Sequence, residues 1–287
     1  MARLLDGKVV AACLDDQTRC LGAELESAGI VPTLGIVSAS SKRDSVAYVR
    51  SVRACCERLG ISVVEAALAD DASEAAVVAA VNRFADDDAV HGVVICQPLP
   101  PHVDGNAVAQ AIPAGKDVDG VTPHAMVKAY YGHGEGFLPS VCEAAMRMLE
   151  YYEVDLDGRN AVVIGDGPTV GRPLWLLLLH AGATPTTCNI YTHDVPGITK
   201  RADVVISATG NTDGFGSDYF SDGQTVIDVG VGYSERLGRL SGDVRFDEVE
   251  PLVSAITPVP GGVGVVTSSM LALHVMEAAR AICRRFC

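Results

Sequence analysis

The sequence has no excess of positive charge and no long apolar run. Its 22 Lys and Arg residues stand against 36 Asp and Glu, a formal net charge of −14, which opposes non-specific binding to nucleic acid or to anionic membranes. Apolar runs such as that at 175–179 are far shorter than the roughly 20 residues that cross a bilayer. The N-terminus does not resemble a signal peptide. We expect a soluble protein with no nucleic-acid or membrane partner.

Paired cysteines are missing as well. The nine cysteines are an odd number, none forms a Cys-x-x-Cys pair, and most have apolar neighbours. Free cysteine in such surroundings behaves as a small hydrophobe, and it is typical of a reducing compartment. The pattern predicts a cytoplasmic protein without a disulfide framework and without a metal site.

The composition is that of a folded chain. Its 287 residues suffice for one large domain or two of ordinary size. Hydrophobic residues make up 48% and charged residues 20%, which provides a full core and excludes the disordered, collagen-like and low-complexity classes.

Short β-branched runs alternate with helical runs along the chain. In the first half we predict helices at 14–28, 44–59, 73–84 and 106–112, and strands at 31–37, 61–66 and 92–96. In the second half we predict helices at 141–151, 172–180 and 268–285, and strands at 160–164, 185–189, 203–207 and 225–229. Asp44 or Ser45 is the expected cap of its helix. This order predicts parallel sheets covered by helices, with a domain boundary at 140–150.

A glycine-rich turn follows the predicted strand at 160–164. Residues 165–171 read Gly-Asp-Gly-Pro-Thr-Val-Gly and lead into a predicted helix. A strand, a tight turn and a helix N-terminus form a binding site for a pyrophosphate. The spacing departs from G-x-G-x-x-G, and a tight turn without a ligand is the alternative. The region where an acidic residue would indicate NAD, Asn189-Ile190-Tyr191 with Asp194 beyond, is ambiguous.

Two further loops carry unusual residues. Residues 116–120 read Lys-Asp-Val-Asp-Gly, whose two aspartates either bind the N–H edge of a heterocycle or cap a turn; composition alone favours the cap. Residues 257–264 read Thr-Pro-Val-Pro-Gly-Gly-Val-Gly. So many Pro and Gly residues fix an unusual backbone path, which indicates a loop that contacts a ligand.

Motifs along nearly the whole chain occur in the order seen in one enzyme family. They are Ser45-x-x-Tyr48-Val49, GVVICQPLP, KDVDG, GDGPTVGRP, RADVVISATG, VIDVG, GDV and TPVPGGVG. This set resembles the FolD family of methylenetetrahydrofolate dehydrogenase/methenyltetrahydrofolate cyclohydrolases. The resemblance implies two α/β domains with a cleft between them, the second a Rossmann-like domain, and a homodimer.

The resemblance also implies domain boundaries and a reaction. Residues 1–143 correspond to a folate-binding catalytic α/β domain, completed by the C-terminal helix 268–287. Residues 144–267 correspond to a Rossmann-like NAD(P)-binding domain. The family oxidises 5,10-methylenetetrahydrofolate with hydride transfer to the nicotinamide, and many members then hydrolyse the methenyl product to 10-formyltetrahydrofolate.

Site residues follow from the resemblance position by position. The implied catalytic residues are Tyr48, which would stack against the folate, and Asp119, which would hydrogen-bond the pterin. The implied folate-binding residues are Tyr48, Val52, Cys96, Asp119, Pro260, Gly261 and Gly264. The implied cofactor-binding residues are Gly165, Asp166, Gly167, Val170, Ile190, Gly210 and Val231. The residues themselves leave open that Tyr48 is a core aromatic and Asp119 a turn cap.

The chain departs from the family at the proton-handling residues. The family lysine four positions after the tyrosine is replaced by Val52, on the helix face of Tyr48. Arg53 lies about 100° further round the helix and Arg50 is also off that face; arginine cannot exchange protons near neutral pH. Cys96 stands where the family has glutamine, and Gln97, one position later, should face the other way.

The dinucleotide turn departs too. NADP-using members have Gly-Arg-Ser where this chain has Gly165-Asp166-Gly167, and His-Ser where it has Asn189-Ile190. An aspartate repels a 2′-phosphate and accepts a hydrogen bond from a ribose hydroxyl. The expected cofactor is therefore NAD rather than NADP.

These departures affect the two family activities differently. Hydride transfer needs oriented rings and no protein base, whereas hydrolysis of the methenyl product needs proton handling. The sequence predicts a monofunctional, NAD-dependent methylenetetrahydrofolate dehydrogenase acting on a tetrahydrofolate derivative. Two alternatives stay open: a non-catalytic folate- or nucleotide-binding paralogue, and a bifunctional enzyme with a relocated base.

Overall fold

The computed structural model describes residues 2–286, with the side chains of 43, 44 and 283–286 excepted. The chain forms two compact units. The first, called here the dinucleotide unit after the ligand that the family resemblance implies, contains the described segment up to Ala12 and Val141–Thr267. The second, called the folate unit on the same basis, contains Cys13–Ser140 and the described residues from Ser268.

The elements alternate between strand and helix through most of the chain. The strands are β1 (Arg3–Leu4), β2 (Thr33–Ser38), β3 (Ser62–Ala67), β4 (Gly92–Ile95), β5 (Asn160–Ile164), β6 (Thr184–Cys188), β7 (Val204–Ser207), β8 (Thr225–Asp228), β9 (Gly232–Ser234), β10 (Arg239–Ser241) and β11 (Ala255–Ile256). The α-helices are α1 (Gly7–Ser27), α2 (Arg43–Arg58), α3 (Glu74–Ala85), α4 (Gly105–Gln110), α5 (Pro123–Tyr131), α6 (Ser140–Tyr151), α7 (Gly171–His180), α8 (Val195–Thr199), α9 (Phe246–Val249) and α10 (Val263–Phe286). The predicted α/β fold class is confirmed.

The dinucleotide unit is built on a parallel sheet. Its strand order is β1-β11-β8-β7-β5-β6, and all the pairings are parallel. Strands β5 and β7 are almost continuous runs of Val, Ile and Ala that are buried on both faces, as expected for the centre of a helix-covered sheet. The order reverses beside β5, which places a crevice at the carboxyl ends of β5 and β7.

The first described residues of the chain add a strand to this sheet, although the resemblance assigns them to a folate-binding domain over 1–143. Arg3 and Leu4 pair with Ala255 and Ile256, and the hydroxyl of Tyr152 donates to the Asp6 carbonyl at 2.9 Å. Helix α1 also begins earlier than the predicted residue 14, because the Asp6 carboxylate accepts the Lys8 N–H at 3.0 Å and so caps the helix.

The folate unit has a smaller parallel sheet in the order β3-β2-β4. Alternate residues of β2 enter different apolar clusters. Leu34 and Ile36 pack with residues of α2 and α10, and Val37 packs with residues of α3 and α4. Gly35 lies between Leu34 and Ile36 in the strand, and a Cβ at this position would lie 2.7 Å from the Phe84 ring. Helix α2 begins at Arg43, and Lys42 occupies its N-cap position. The prediction that Asp44 or Ser45 caps this helix is therefore wrong.

Helix α10 is long and apolar. Among the described residues, it alone has the length and composition of a membrane span, over Val263–Ile282, with a mean hydropathy of 1.2. In this protein 61% of that window is buried, and a buried core helix has the same properties. The helix is therefore weak evidence for a membrane span.

Candidate active site

Helix α2 brings Tyr48 into the neighbourhood of Asp119 and Cys96. Tyr48 is half-buried and packs against the apolar cluster that contains Val52. Burial raises the pKa of Tyr48 well above its usual value, and the nearby Asp119 and Cys96 raise it further. Tyr48 is therefore neutral at physiological pH, with an aromatic face and a hydroxyl beside a carboxyl group.

Val52 lies one turn further along α2 and is 2% exposed. It belongs to an apolar cluster with Leu34 and Ile36, and its own side chain has no group that donates or accepts a proton. On a different face, Arg53 forms an ion pair with Glu65 at 2.5 Å, and Arg50 is exposed. Neither arginine takes the place of the family lysine.

Cys96 is fully buried at the end of β4. Its Sγ lies 3.6 Å from the carbonyl oxygen of Ser45, and burial raises the pKa of the thiol. Gln97 is exposed, and its side-chain oxygen accepts the Leu99 N–H at 3.2 Å. The glutamine therefore faces away from Cys96, and the buried thiol stays protonated near neutral pH.

The two aspartates of the 116–120 loop have different roles. Asp117 is the turn cap, because its carboxylate accepts the N–H groups of Val121 and Thr122 at 3.0 and 2.8 Å. The buried Lys116 donates to the carbonyls of Ala85 and Asp87, both at 2.8 Å, and so caps α3. These two residues are structural, which leaves Asp119 for a ligand.

Asp119 is half-buried and accepts a hydrogen bond from the Ser140 hydroxyl. Burial raises the pKa of Asp119, and the bond from Ser140 opposes that rise. The preceding carbonyl, of Val118, lies 2.8 Å from Nδ1 of the buried His274, whose ring stacks on Phe137 at 4.7 Å. The carboxyl group is thus held in place beside Tyr48, where it can accept N–H groups of a heterocycle.

The loops after β5, β6, β7 and β8 meet at one edge of the parallel sheet, because the carboxyl ends of parallel strands lie together. Gly165 has φ +113°, and a Cβ there would lie 2.4 Å from the Ala208 carbonyl. A Cβ at Gly171 would lie 2.1 Å from the Gly165 carbonyl. Gly167 has no atom within 4 Å of such a position, and Val170 is the residue before α7. The turn is therefore closely packed at Gly165 and Gly171 and open at Gly167.

Asp166 is held by Asn189 across this edge. The Asn189 amide nitrogen donates to Asp166 Oδ2 at 3.1 Å, and its amide oxygen accepts the Tyr191 N–H at 3.0 Å. Because an N–H can only donate, the second bond fixes the orientation of the amide. Arg172 Nε donates to the Asp166 carbonyl at 2.9 Å. A cavity of about 410 Å³ is lined by Asp166, Arg172, Trp175, Leu176, Thr187 and Asn189.

The remaining implied cofactor residues occupy the same edge. Gly210 follows β7 with φ +70°, and no atom lies within 4 Å of its would-be Cβ. Val231 follows β8 and is 64% exposed. Ile190 is 90% exposed, and its neighbour Asn189 makes the contact with Asp166. Asn189 was not among the implied cofactor residues, since a contact across 23 positions leaves no mark in local spacing.

The Pro- and Gly-rich loop belongs to the dinucleotide unit. Gly261 has φ +109°, and its carbonyl accepts the Gly7 N–H at 2.8 Å. Pro260 and Gly264 are exposed on either side of it. Tyr48, Val52, Cys96 and Asp119 lie in the folate unit.

Within the described part of the chain, no group of three or more His, Cys, Asp and Glu side chains is placed to hold a metal ion.

Asp228 at the end of β8 is a buried carboxyl group with an unusual affinity for protons. Burial raises the pKa of Asp228 to about 7, and the like charge of Asp243 adds to the rise while N–H groups of Val244, Asp243 and Gly230 oppose it. The folded state binds this proton more tightly than the unfolded chain does. Its stabilising contribution is therefore complete below pH 4 and lost as the pH rises through about 7.

We expect the free energy of unfolding to fall by about 1–3 kcal/mol between pH 5 and pH 8 because of this one group. Urea unfolding at several pH values, compared with Asp228→Asn, measures the effect. The variant should show a shallower pH dependence whatever its absolute stability. Identical slopes for the two proteins would contradict the assignment to Asp228.

Comparison with known proteins agrees with this arrangement. Two family models match, the tetrahydrofolate dehydrogenase/cyclohydrolase catalytic domain over residues 5–119 and the NAD(P)-binding domain of the same family over 139–283. The bifunctional protein FolD of Clostridium botulinum (strain 657 / Type Ba4) is 37% identical over 279 residues, 97% of this chain and 99% of that protein.

Solved structures agree as well. The bifunctional FolD methylenetetrahydrofolate dehydrogenase/cyclohydrolase of Campylobacter jejuni is 37% identical, with a TM-score of 0.93 over 98% of this chain and 99% of that one. The Trypanosoma brucei methylenetetrahydrofolate dehydrogenase-cyclohydrolase, complexed with NADP cofactor and inhibitor, is 31% identical, with a TM-score of 0.92 over 99% of each chain.

Proposed function

Because the chain belongs to the tetrahydrofolate dehydrogenase/cyclohydrolase family, we propose that it oxidises 5,10-methylenetetrahydrofolate to 5,10-methenyltetrahydrofolate, passes the hydride to NAD, and does not hydrolyse the product. The observation that carries the proposal is the face of α2. Tyr48 is retained beside Asp119, and the buried Val52 occupies the position of the family lysine.

In the folate unit, the retained residues bind and orient. The aromatic face of Tyr48 stacks against the folate rings, and the Asp119 carboxyl accepts hydrogen bonds from pterin N–H groups. The Ser140 hydroxyl holds that carboxyl in place. Orientation is what hydride transfer requires, since the folate nitrogens stabilise the cationic product.

The positions of the family lysine and glutamine provide no acid or base for hydrolysis of the methenyl product. Water must lose a proton as it attacks, and a positioned acid or base normally takes part. Val52 has no titratable group. Cys96 has a pKa raised by burial, so that it carries no negative charge with which to accept a proton at neutral pH.

The residues of the dinucleotide unit fit a nicotinamide dinucleotide. Gly167 and Gly210 leave open space where a side chain would otherwise project, and the N-terminus of the ten-residue helix α7 follows the turn, an arrangement that favours a pyrophosphate. Asp166 faces the cavity at the ends of β5 and β6 and can accept a hydrogen bond from a ribose hydroxyl. When bound, the nicotinamide supplies the hydride acceptor, and this chain supplies the contacts that hold it.

Turnover assays test the proposal directly. Purified protein is mixed with 5,10-methylenetetrahydrofolate and either NAD or NADP, and formation of reduced cofactor is recorded. We expect turnover with NAD. Binding of folate without turnover would instead indicate a non-catalytic paralogue, and hydrolysis of the methenyl compound would indicate a bifunctional enzyme with a relocated base.

We also propose that the protein is a cytoplasmic homodimer. This rests on the family resemblance and on the cysteines, none of which forms a disulfide in the described part of the chain. Sedimentation velocity at micromolar concentration tests the dimer, for which a monomeric species would be contrary evidence. Fractionation of the source cells tests the compartment.

Asp119→Ala should weaken folate binding by about 1.5–3 kcal/mol, or roughly 10- to 150-fold, because buried N–H groups of the pterin lose a charged acceptor. Titration with a stable reduced folate measures the affinity, and titration with NAD is the control, which should not change. Asp119→Asn retains one acceptor oxygen and should lose less. Unchanged folate binding in Asp119→Ala would mean that the carboxyl serves only Ser140.

A further inference from the structure

A buried carboxyl group, Asp243, lies beneath the loop that follows β7. It is 0% exposed. Its Oδ2 accepts hydrogen bonds from the backbone N–H groups of Thr209 at 2.7 Å and Gly210 at 3.2 Å, and from the hydroxyls of Thr209 and Ser207, both at 2.9 Å. One oxygen therefore satisfies four donors, three of which belong to residues 209–210.

The same residue is attached to the loop that follows β8. The Asp243 N–H donates to Asp228 Oδ1 at 3.1 Å, which also accepts the Gly230 N–H at 3.0 Å. There is no room for adjustment here, because a Cβ at Gly230 would lie 2.1 Å from Asp243 Oδ1 and one at Gly242 would lie 2.0 Å from Asp228 Oδ2. The segments after β7 and β8 and the segment at 242–244 are thus held together.

These hydrogen bonds determine which backbone groups of Gly210 face the open edge of the sheet. The N–H groups of Thr209 and Gly210 point inward to Asp243, so they are not available to a phosphate. Gly210 takes the left-handed conformation, φ +70°, with open space beside its Cα. A dinucleotide approaching this edge therefore meets a bare backbone surface whose shape depends on the bonds to Asp243.

We propose that Asp243 is a positioning residue for the dinucleotide, holding residues 209–210 in the conformation that leaves room for the cofactor at Gly210. The inference rests on the proposed binding of NAD and deepens it. Asp243 itself is buried and does not touch the cofactor, so its effect is transmitted through the loop.

The second carboxylate oxygen makes a sharp test possible. Asp243 Oδ1 is buried and has no hydrogen-bond partner among the described residues. In Asp243→Asn, the amide oxygen can keep the four donors while the amide nitrogen takes the position of Oδ1. The opposite orientation would set an NH₂ group against backbone N–H groups, which is unfavourable. Asparagine should therefore preserve the loop, and alanine should release it.

Binding of NAD is measured with each variant in the absence of folate. Trp175, the single tryptophan of the chain, lines the cavity with Asp166 and Asn189, so its fluorescence reports occupancy. We expect Asp243→Ala to weaken NAD binding about 10- to 100-fold and Asp243→Asn to stay within about 3-fold of wild type. Affinity of the folate unit for a reduced folate should not change.

The matched control is Asp117→Ala. Asp117 is 1% exposed and accepts two backbone N–H groups in the folate unit. Its removal should lower the melting temperature while leaving NAD affinity within about 3-fold, as for a purely structural carboxylate. Equal losses of NAD affinity in Asp117→Ala and Asp243→Ala would reduce the effect to general destabilisation and overturn the proposal.

Other outcomes are equally decisive. Wild-type affinity in a folded Asp243→Ala, or failure of Asp243→Asn to restore binding, overturns the positioning role. If Asp243→Ala does not fold, Thr209→Val removes one of the four donors and should weaken NAD binding about 3- to 10-fold; an unchanged affinity is then contrary evidence. A wild-type protein that binds NAD without oxidising the folate contradicts the proposed function alone, and one that binds no dinucleotide contradicts both.

Discussion

The wild-type protein is expected to oxidise 5,10-methylenetetrahydrofolate while adding nothing measurable to the spontaneous hydrolysis of the methenyl compound. A positioned acid or base typically accelerates such a step by about 10²- to 10⁴-fold. At the two positions where the family has lysine and glutamine, this chain has Val52, 2% exposed, and Cys96, fully buried. Neither can move a proton to or from water at neutral pH.

Decay of the methenyl absorbance with and without enzyme measures this activity. The Campylobacter jejuni protein, which is named as a dehydrogenase/cyclohydrolase, is the positive control under the same conditions. The dehydrogenase assay on the same preparation shows that the protein is folded and binds its substrates. Buffer-rate decay together with active oxidation is the expected pair of results.

Fast decay of the methenyl absorbance would contradict this expectation. Asp119 would then be the candidate acid or base for hydrolysis. Its carboxyl lies near Tyr48 and has a pKa raised by burial, and a positioned carboxyl can serve as an acid or base. Asp119→Asn would then abolish hydrolysis. In a protein that only oxidises the folate, the same variant changes affinity and leaves the hydrolysis rate at that of buffer.

The alternation of strands and helices was predictable because it follows from local apolar patterns. The ends of the elements were less so. Strand β1 exists only because Arg3 and Leu4 pair with Ala255 and Ile256, and no local pattern in two residues signals a partner so distant in sequence. The same pairing places the described residues up to Ala12 in one compact unit with Val141–Thr267. Distant pairing is a property of the folded chain, and a single sequence does not express it.

The candidate site was predictable to the level of motifs. The loop at 116–120 presents two aspartates, and composition favours a turn cap for both. The hydrogen bonds separate them: Asp117 caps the turn and Asp119 bonds Ser140. The contacts of Asp166 with Asn189 and of Asp243 with Thr209 likewise join loops that follow different strands. Motif matching finds the loops, whereas the partners between loops depend on sheet order and register.

Cofactor preference is the second large effect. We expect kcat/KM to be higher with NAD than with NADP by about 5- to 150-fold, or 1–3 kcal/mol. A carboxylate within about 4 Å of the 2′-phosphate opposes it by roughly 4 kcal/mol per charge pair at an effective dielectric of 20, and solvent access reduces this. Asp166 supplies the carboxylate, and Asn189 holds it by a 3.1 Å hydrogen bond, so that it does not simply rotate away.

A second charge in the same cavity limits the size of the preference. The guanidinium of Arg172 lines the cavity with Asp166, and it attracts a phosphate. Its Nε is engaged by the Asp166 carbonyl at 2.9 Å, which restrains but does not remove the positive charge. The preference for NAD is therefore expected to be moderate, and it should shrink as ionic strength rises and screens both charges.

Asp166→Arg should shift the preference toward NADP, because a guanidinium binds a phosphate through two parallel hydrogen bonds. Asp166→Asn is the matched control: it removes the repulsion without adding a cation, and its preference should lie between those of wild type and Asp166→Arg. The shift is expected to be partial, since Ile190 is 90% exposed and has no hydroxyl to offer the phosphate. The measurement is kcat/KM with both cofactors for all three proteins. If wild type uses NADP as well as NAD, or better, then Asp166 does not face the adenosine ribose. In that case Arg172 is the charge that decides the cofactor.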